Sequence, residues 1–384
     1  MQDNRLVASS IALLHQLVAF DSVSRNSNLP IIDFIESYLT KHGAACVRVP
    51  SPDGTKSNLL ARIGPEVAGG IVFSGHTDVV PIDGQEWDSD PFSVTERDGK
   101  LFGRGTADMK SFIAICMAFA PQLAAKTLQK PVWFAFSYDE EVGCLGAPHL
   151  LEYVVKHIPK PAYAVIGEPT MMQVVTAHKG VVSFETTVHG LEFHSSQPQL
   201  GVNAVQAACE LVHFLTGEAK ALETGGRRDE RFVPPYSTVH TGTIHGGTAR
   251  NIIPKECRFQ WEIRPLPGED YEAIIARFRT RCGELQKTMG ATIENHPMSH
   301  MSGVTLPHAA QAHAQSVMHC ARSNRELAVS FGTEAGVFNE HGIPAIICGP
   351  GSIEQAHKPN EFIERSQIEA GVEFMMRMTE FSGQ

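Results

Sequence analysis

The sequence predicts an α/β protein, a mostly parallel sheet flanked by helices, with a smaller domain set into it. Three observations carry that reading. Short apolar runs with the look of buried strands alternate with helix-length segments through the first 170 residues, and again towards the C-terminus. Between these stretches the rhythm changes to strand, helix, strand, strand, helix, strand. Finally, several apolar runs end abruptly in His, Asp or Glu, at the place where open α/β sheets bind their ligands.

In chain order, residues 6–20 and 30–42 have helical spacing of apolar positions, and Ile71 to Ser74 reads as a buried strand. Helices are predicted near 108–125 and 144–157, with strands from Val132 to Ser137 and from Ala162 to Ile166. From residue 178 the order is strand 180–189, helix 203–222, strands 238–245 and 256–264, helix 269–289 and strand 291–296. That βαββαβ order is the split, ferredoxin-like unit. The α/β alternation then resumes, with helices at 307–322, 333–341 and 367–381 and strands from Ala328 to Phe331 and Pro344 to Cys348. The simplest division is one domain made of 1–178 and 297–384, with 179–296 inserted.

Composition narrows the function. The 384 residues carry 32 basic and 42 acidic side chains, a net charge of −10, and no Lys/Arg cluster, which argues against a nucleic-acid partner. The longest apolar stretch, Ile113 to Ala120, is far short of a membrane span. No signal-peptide pattern is visible at the N-terminus. Eight cysteines lie scattered without a Cys-x-x-Cys pair, the usage expected of reduced thiols in a cytoplasmic protein.

Charge gathers at the strand ends. Ile71 to Ser74 runs into Gly75-His76-Thr77-Asp78, Val132 to Ser137 leads to Asp139-Glu140-Glu141, and Ala162 to Ile166 runs into Gly167-Glu168. Pro344 to Cys348 is followed by a Gly-Pro-Gly turn and then His357, while Asp108 sits where the glycine-rich loop GRGTADMK becomes a helix. One rim would thus collect two imidazoles and at least four carboxylates. Close carboxylates resist ionising together, and a cation is the simplest way to keep them charged. Histidine with carboxylate suits Zn²⁺. Two His with three Asp/Glu exceed one catalytic zinc and suit two ions sharing a bridging carboxylate, with one further carboxylate left as general base.

The motifs GHTDVVP (75–81), GRGTADMK (103–110), DEEVG (139–143), GEPT (167–170) and GPGSIEQAHKPNE (349–361) resemble the M20 family of co-catalytic zinc amidohydrolases and exopeptidases. HGLEFHSSQPQLGVNA (189–204) resembles that family's dimerisation-domain motif, and GGTARNIIP (246–254) its substrate-contacting loop. The resemblance runs from about residue 6 to the C-terminus. It implies that His76 and Glu168 bind one metal ion, that Glu141 and His357 bind another, and that Asp108 bridges both. Glu140 would be the general base and Asp78 would orient His76. His194 would reach the substrate carbonyl from the partner subunit of a homodimer, making the insert a dimerisation and lid domain. Two divalent ions, Zn²⁺ with Co²⁺ as the alternative, are the implied cofactors.

A small N-acyl amino acid is the implied substrate. The resemblance of SGHTDVVPIDGQEWDSDPF (74–92), FGTEAGVF (331–338) and GPGSIEQAHKPNEF (349–362) to one branch of that family implies N-acetylornithine, with succinyl-diaminopimelate, general N-acyl amino acids and dipeptides as rivals. Arg250 with Asn251 is expected to meet the substrate carboxylate, and Glu334 the ornithine ammonium. Val337 stands where the succinyl-specific pattern has an arginine. A non-catalytic, dimeric metal-binding protein is the alternative of a different class. Glu140 argues against it, because a binder needs ligands but no base.

Overall fold

The computed structural model of the chain describes residues 2–381. The backbone divides into two compact units, one comprising 1–176, 305–327 and 333–384, the other 177–304 with 328–332.

The first unit is built on a mixed sheet. Its centre is four parallel strands in the order Val132–Ser137, Ile71–His76, Tyr163–Pro169, Ala345–Gly349. All four are buried along their whole length, as strands covered on both faces must be. The expected parallel arrangement holds only at this centre. Ser57–Ile63 pairs antiparallel with Val132–Ser137, and Ala45–Pro50 antiparallel with Ser57–Ile63. On the other side Val174–His178 meets Ala345–Gly349 antiparallel through Val175 and Ile347. The helix Lys110–Ala124 is buried on nearly every side, packed against Gln2–Val18 and Arg365–Phe381, which accounts for its unbroken apolar run. Among the described residues no helix is long and apolar enough to cross a membrane.

The second unit is a four-stranded antiparallel sheet in the order Thr238–Gly246, Glu256–Arg264, Val181–His189, Thr292–Met301. Burial alternates along Glu256–Arg264, and Cys257, Phe259, Trp261 and Ile263 face a core shared with the helices Ala204–Gly225 and Glu272–Met289. Asn203 caps the first helix by accepting from the Gln206 amide at 3.0 Å. The expected end of the insert at 296 is corrected by its last strand. Thr292–Met301 continues through an irregularity between Pro297 and Ser299 and stays paired with Val181–His189 as far as Met301.

Candidate metal centre

Register brings the charged residues together in the first unit. His76 lies opposite Ser137 and Ser74 opposite Ile166, so three adjacent parallel strands finish at one edge. His76, the Asp139-Glu140-Glu141 turn and Glu168 are therefore neighbours. Two glycines allow the tight packing around Glu168. A Cβ on Gly167 would lie 2.1 Å from the Phe112 ring, and one on Gly349 would lie 2.1 Å from the Gly167 carbonyl oxygen.

Two triads share one carboxylate. Ligating atoms of His76, Asp108 and Glu168 all lie within 4.8 Å of one another, and so do those of Asp108, Glu141 and His357. Asp108 Oδ1 is 3.0 Å from His76 Nε2, and its Oδ2 is 3.4 Å from His357 Nε2. His357 Nε2 is also 2.9 Å from a Glu141 oxygen. The first triad is buried, whereas the His357 side chain is 54% exposed, so the second lies toward solvent.

The tautomer of His76 is fixed by its surroundings. Its Nδ1 lies 2.9 Å from the Asp78 main-chain oxygen, which can only accept, so Nδ1 carries the proton. A neutral ring then points the Nε2 lone pair straight at an Asp108 oxygen. That contact needs a cation, either a proton on the ring or a metal ion beside it. In the chain alone, protons must serve. Burial opposes charge on His76, but the hydrogen bond to Asp108 and the surrounding carboxylates outweigh it and hold the imidazole well above its usual range. Hydrogen bonding to Asp108 and Glu141 pushes His357 up to about 10. Burial, then repulsion from Asp108, lifts Glu141 to about 7. Burial likewise drives Glu168 and Glu140 well above the usual carboxylate range. Asp108 is held low, since the hydrogen bonds from His357 and His76 overcome its burial. One oxygen of Glu168 is buried with no hydrogen-bond partner. Orphaned lone pairs, crowded carboxylates and His/Asp/Glu donors together fit divalent metal ions of the zinc type.

Asp78 meets the His76 ring through its main chain rather than its carboxylate. Its carboxylate stays 3.7 Å from His76 Nδ1, and the main-chain carbonyl orients the ring instead. The carboxylate accepts from the amides of Glu140 at 3.1 Å and Glu141 at 3.3 Å and from Ser24 Oγ at 2.7 Å, which pins the acidic turn. Within that turn the carboxylates divide. Asp139 is ion-paired to Lys56 at 2.5 Å, leaving Glu140 and Glu141 for the rim. The expectation for Glu334 is overturned by its position. It is 1% exposed, and its oxygens accept from Ser74 Oγ at 3.1 Å and from Ser137 Oγ. Each oxygen already accepts one hydroxyl beneath the strand ends, and the buried carboxylate is not presented to solvent where a substrate ammonium would arrive.

In the second unit, His194, Arg250 and Asn251 come from two segments that meet. His194 bridges Ile252, and the Ser195 amide donates to the Asn251 carbonyl at 3.0 Å. All three side chains are exposed. Two contacts escaped the sequence reading. Cys144 Sγ donates to a Glu140 oxygen at 3.3 Å, and Glu361 holds the loop that presents Asp108. The second had a visible signal, since Glu361 closes the HKPNE stretch begun by His357.

This fold and this site define a metallohydrolase acting on amide bonds. The chain belongs to peptidase family M20/M25/M40, whose model matches residues 72–380. It is similar to the acetylornithine deacetylase of Proteus mirabilis (strain HI4320), 34% identical with 96% of each chain covered. It is also similar to that of Yersinia pestis, 36% identical over 91% of this chain and 90% of the relative. Among solved structures, an M20 metallo-carboxypeptidase from Sulfolobus solfataricus shares the fold with a TM-score of 0.78 at 16% identity, covering 97% of this chain and 99% of that one. A dinuclear metal-binding peptidase of the M20 family from Bacillus subtilis does so at 0.69 and 16%, covering 99% of each chain.

Proposed function

We propose that the chain removes the acetyl group from N2-acetyl-L-ornithine, giving L-ornithine and acetate, a step of arginine biosynthesis. The observation that carries the reading is Asp108, one carboxylate shared by two His/Glu pairs with Glu140 beside them. The deacetylase relatives at 34–36% identity support the choice of substrate.

His76 and Glu168 would hold one divalent ion and Glu141 and His357 the other, with Asp108 between them; Zn²⁺ is the expected metal and Co²⁺ the alternative. When bound, such ions supply Lewis acidity that acidifies water and polarises the amide carbonyl. Glu140 takes the proton of the attacking water and passes it to the departing amine as the C–N bond breaks. His194, from the partner subunit of a homodimer, donates to the oxyanion that develops on the carbonyl. Arg250 and Asn251 meet the α-carboxylate. A succinyl group would add a second carboxylate, for which the apolar, buried Val337 offers no partner. The outer strands of the second unit's sheet support pairing with a second copy. Eight free cysteines support a cytoplasmic location.

The test is an assay of chelated and reconstituted protein on N-acetylornithine, N-acetylmethionine and succinyl-diaminopimelate. Chelation should abolish turnover and Zn²⁺ or Co²⁺ should restore it. N-acetylornithine should exceed the succinyl compound in kcat/KM by at least about tenfold. Full turnover by protein shown to be metal-free would overturn the two-ion mechanism, and a preference for the succinyl compound would overturn the substrate.

A further inference from the structure

Behind the more open triad runs a chain of hydrogen bonds that the proposed chemistry does not use. The His357 carbonyl accepts from Gln85 Nε2 at 3.0 Å. Gln85 Oε1 accepts in turn from Arg104 Nη2 at 2.7 Å and from Trp87 Nε1 at 3.2 Å. Arg104 Nη1 donates to Glu361 Oε2 at 2.7 Å, and the same oxygen takes the Gly105 amide at 3.0 Å. The other oxygen of Glu361 takes the amides of Ala107 at 2.9 Å and Asp108 at 3.1 Å. The chain therefore begins at the backbone of one metal-ligand residue, His357, and ends at the backbone of another, Asp108. Arg104 and Glu361 are each 1% exposed, and Gln85 is partly exposed.

A buried ion pair is weak evidence of stability in itself, because desolvation offsets its attraction. Its geometry says more. Glu361 accepts four hydrogen bonds, all from the loop that carries Asp108 and three of them from its backbone amides. Arg104 divides one arm between Glu361 and, at 3.4 Å, the Lys358 carbonyl, and gives the other to Gln85. The amide of Gln85 is the only group in the chain that must both accept and donate, and its donor end holds the segment bearing His357.

We propose that Gln85, Arg104 and Glu361 are positioning residues that set the spacing between Asp108 and His357, and so tune the affinity of the second metal position separately from the first. The proposal rests on the two-ion reading above. It predicts an asymmetry. Glu361 acts on the shared carboxylate, so its loss weakens both positions. Gln85 bonds the His357 backbone directly and reaches Asp108 only through Arg104 and Glu361, so its loss weakens chiefly the Asp108/Glu141/His357 position.

The experiment titrates Zn²⁺ into chelated, full-length protein and reads stoichiometry and the two affinities directly. Gln85→Glu keeps the acceptor for Arg104 but turns a carboxylate oxygen toward the His357 carbonyl. Gln85→Met removes all three bonds without adding charge. Each should weaken the second Zn²⁺ at least about tenfold, the size expected for groups that orient metal ligands, while leaving the first nearly unchanged. Melting of the metal-free variants should match wild type, and kcat should recover at saturating Zn²⁺. Glu361→Gln should weaken both ions. Two wild-type affinities in both Gln85 variants would overturn the proposal, as would equal weakening of both positions. A wild-type protein that binds fewer than two ions would instead overturn the reading on which it rests.

Discussion

Two histidines, one in each unit, are held in opposite tautomers. His76 donates from Nδ1 to a carbonyl, which leaves a lone pair on Nε2 for a cation. His194 accepts at Nδ1 from the Ser196 amide at 3.1 Å, with Ser196 Oγ at 2.7 Å, which keeps the proton of a neutral ring on Nε2. One ring is prepared to bind a cation, the other to donate to an anion. Their settings differ as sharply. The rim around His76 is buried, crowded with carboxylates and braced from behind. The surface around His194 is exposed, and its side chains have few partners. The first region has its charges preorganised, the property that makes an electrostatic site effective in catalysis. The second has freedom to meet a ligand.

The most severe test of that contrast lies within the rim. Glu140 and Glu141 are adjacent, the first buried and the second partly so, and both are raised in pKa. Of the two, Glu141 touches His357, a proposed metal ligand, at 2.9 Å. Glu140→Gln should retain two ions and lose about 10²–10⁴-fold in kcat. Glu141→Gln should lose metal first and activity as a consequence. Metal analysis with steady-state kinetics on the same samples decides the matter, and equal metal loss in both variants would mean the two roles have been exchanged.

The exposed region should respond in the other way. His194→Ala should keep both ions and the fold, yet lose on the order of 10²-fold in kcat, the cost of removing one oxyanion donor. If the histidine acts across a dimer, mixing inactive His194→Ala and Glu140→Ala subunits should recover some turnover, because one site of each mixed dimer has both groups. No recovery despite demonstrated subunit exchange would put His194 in the same chain as the site or outside the reaction.

The contrast also explains what could be read from sequence. His76, Glu140, Glu141 and Glu168 were legible because each follows a buried strand, and the strand-end rule then puts them together. Asp108 and His357 were placed on that rim by weaker signals, a glycine-rich loop entering a helix and a turn after a strand, and only their ligand roles needed family motifs. Ala45–Pro50 and Val174–His178 were missed because an outer strand and a five-residue strand carry little periodic signal. The small sheet formed by Thr95–Arg97, Lys100–Phe102 and Phe362–Glu364 was missed for the same reason. Glu334 was misread because a sequence reports a charge but not its direction. Residues 74, 137 and 334 meet only after three separate segments have folded. Gln85, Arg104 and Glu361 are likewise brought together from separate segments; Arg104 and Glu361 each lie in a visible motif beside a ligand, whereas Gln85 lies in neither.

A third histidine lies between these extremes. His178 is fully buried, donates from Nδ1 to the Lys179 carbonyl at 2.8 Å, and has no partner at Nε2. Burial lowers it from 6.5 to about 4. The unfolded chain therefore binds a proton as pH falls through about 6.5, and the folded chain only near 4. Its contribution is fully present above 6.5 and is lost progressively down to about 4, on the order of 3 kcal/mol in all. Melting temperatures of metal-free protein between pH 7 and 4.5 should fall more steeply for wild type than for His178→Leu. The difference between the two curves isolates this residue from the raised carboxyls of the rim, which have the opposite slope. Parallel curves would mean that the buried ring takes its proton without cost.

The smallest expected effect tests how far preorganisation of the rim extends. Cys144 follows Glu140 by one helical-length step, and its buried thiol stays protonated because burial and the neighbouring carboxylates raise it well above its usual range. It can then only donate to the Glu140 oxygen it faces. One oxygen of Glu140, the proposed general base, is thereby engaged, and the other is left to receive a proton. A thiol is a weak donor, so the bond should lie at the low end of about 0.5–1.5 kcal/mol. Cys144→Ala should lower kcat about threefold, the rate equivalent of that energy, with KM and metal content unchanged. Cys144→Ser, with a stronger donor in nearly the same place, should stay within about twofold of wild type. An Ala variant with full kcat would show that Glu140 keeps its orientation without the thiol and that the bracing of the rim ends at the Asp78 hydrogen bonds to the turn. A Ser variant as slow as Ala would show that the sulfur serves by filling space, since only its hydrogen-bonding function is conserved in that substitution.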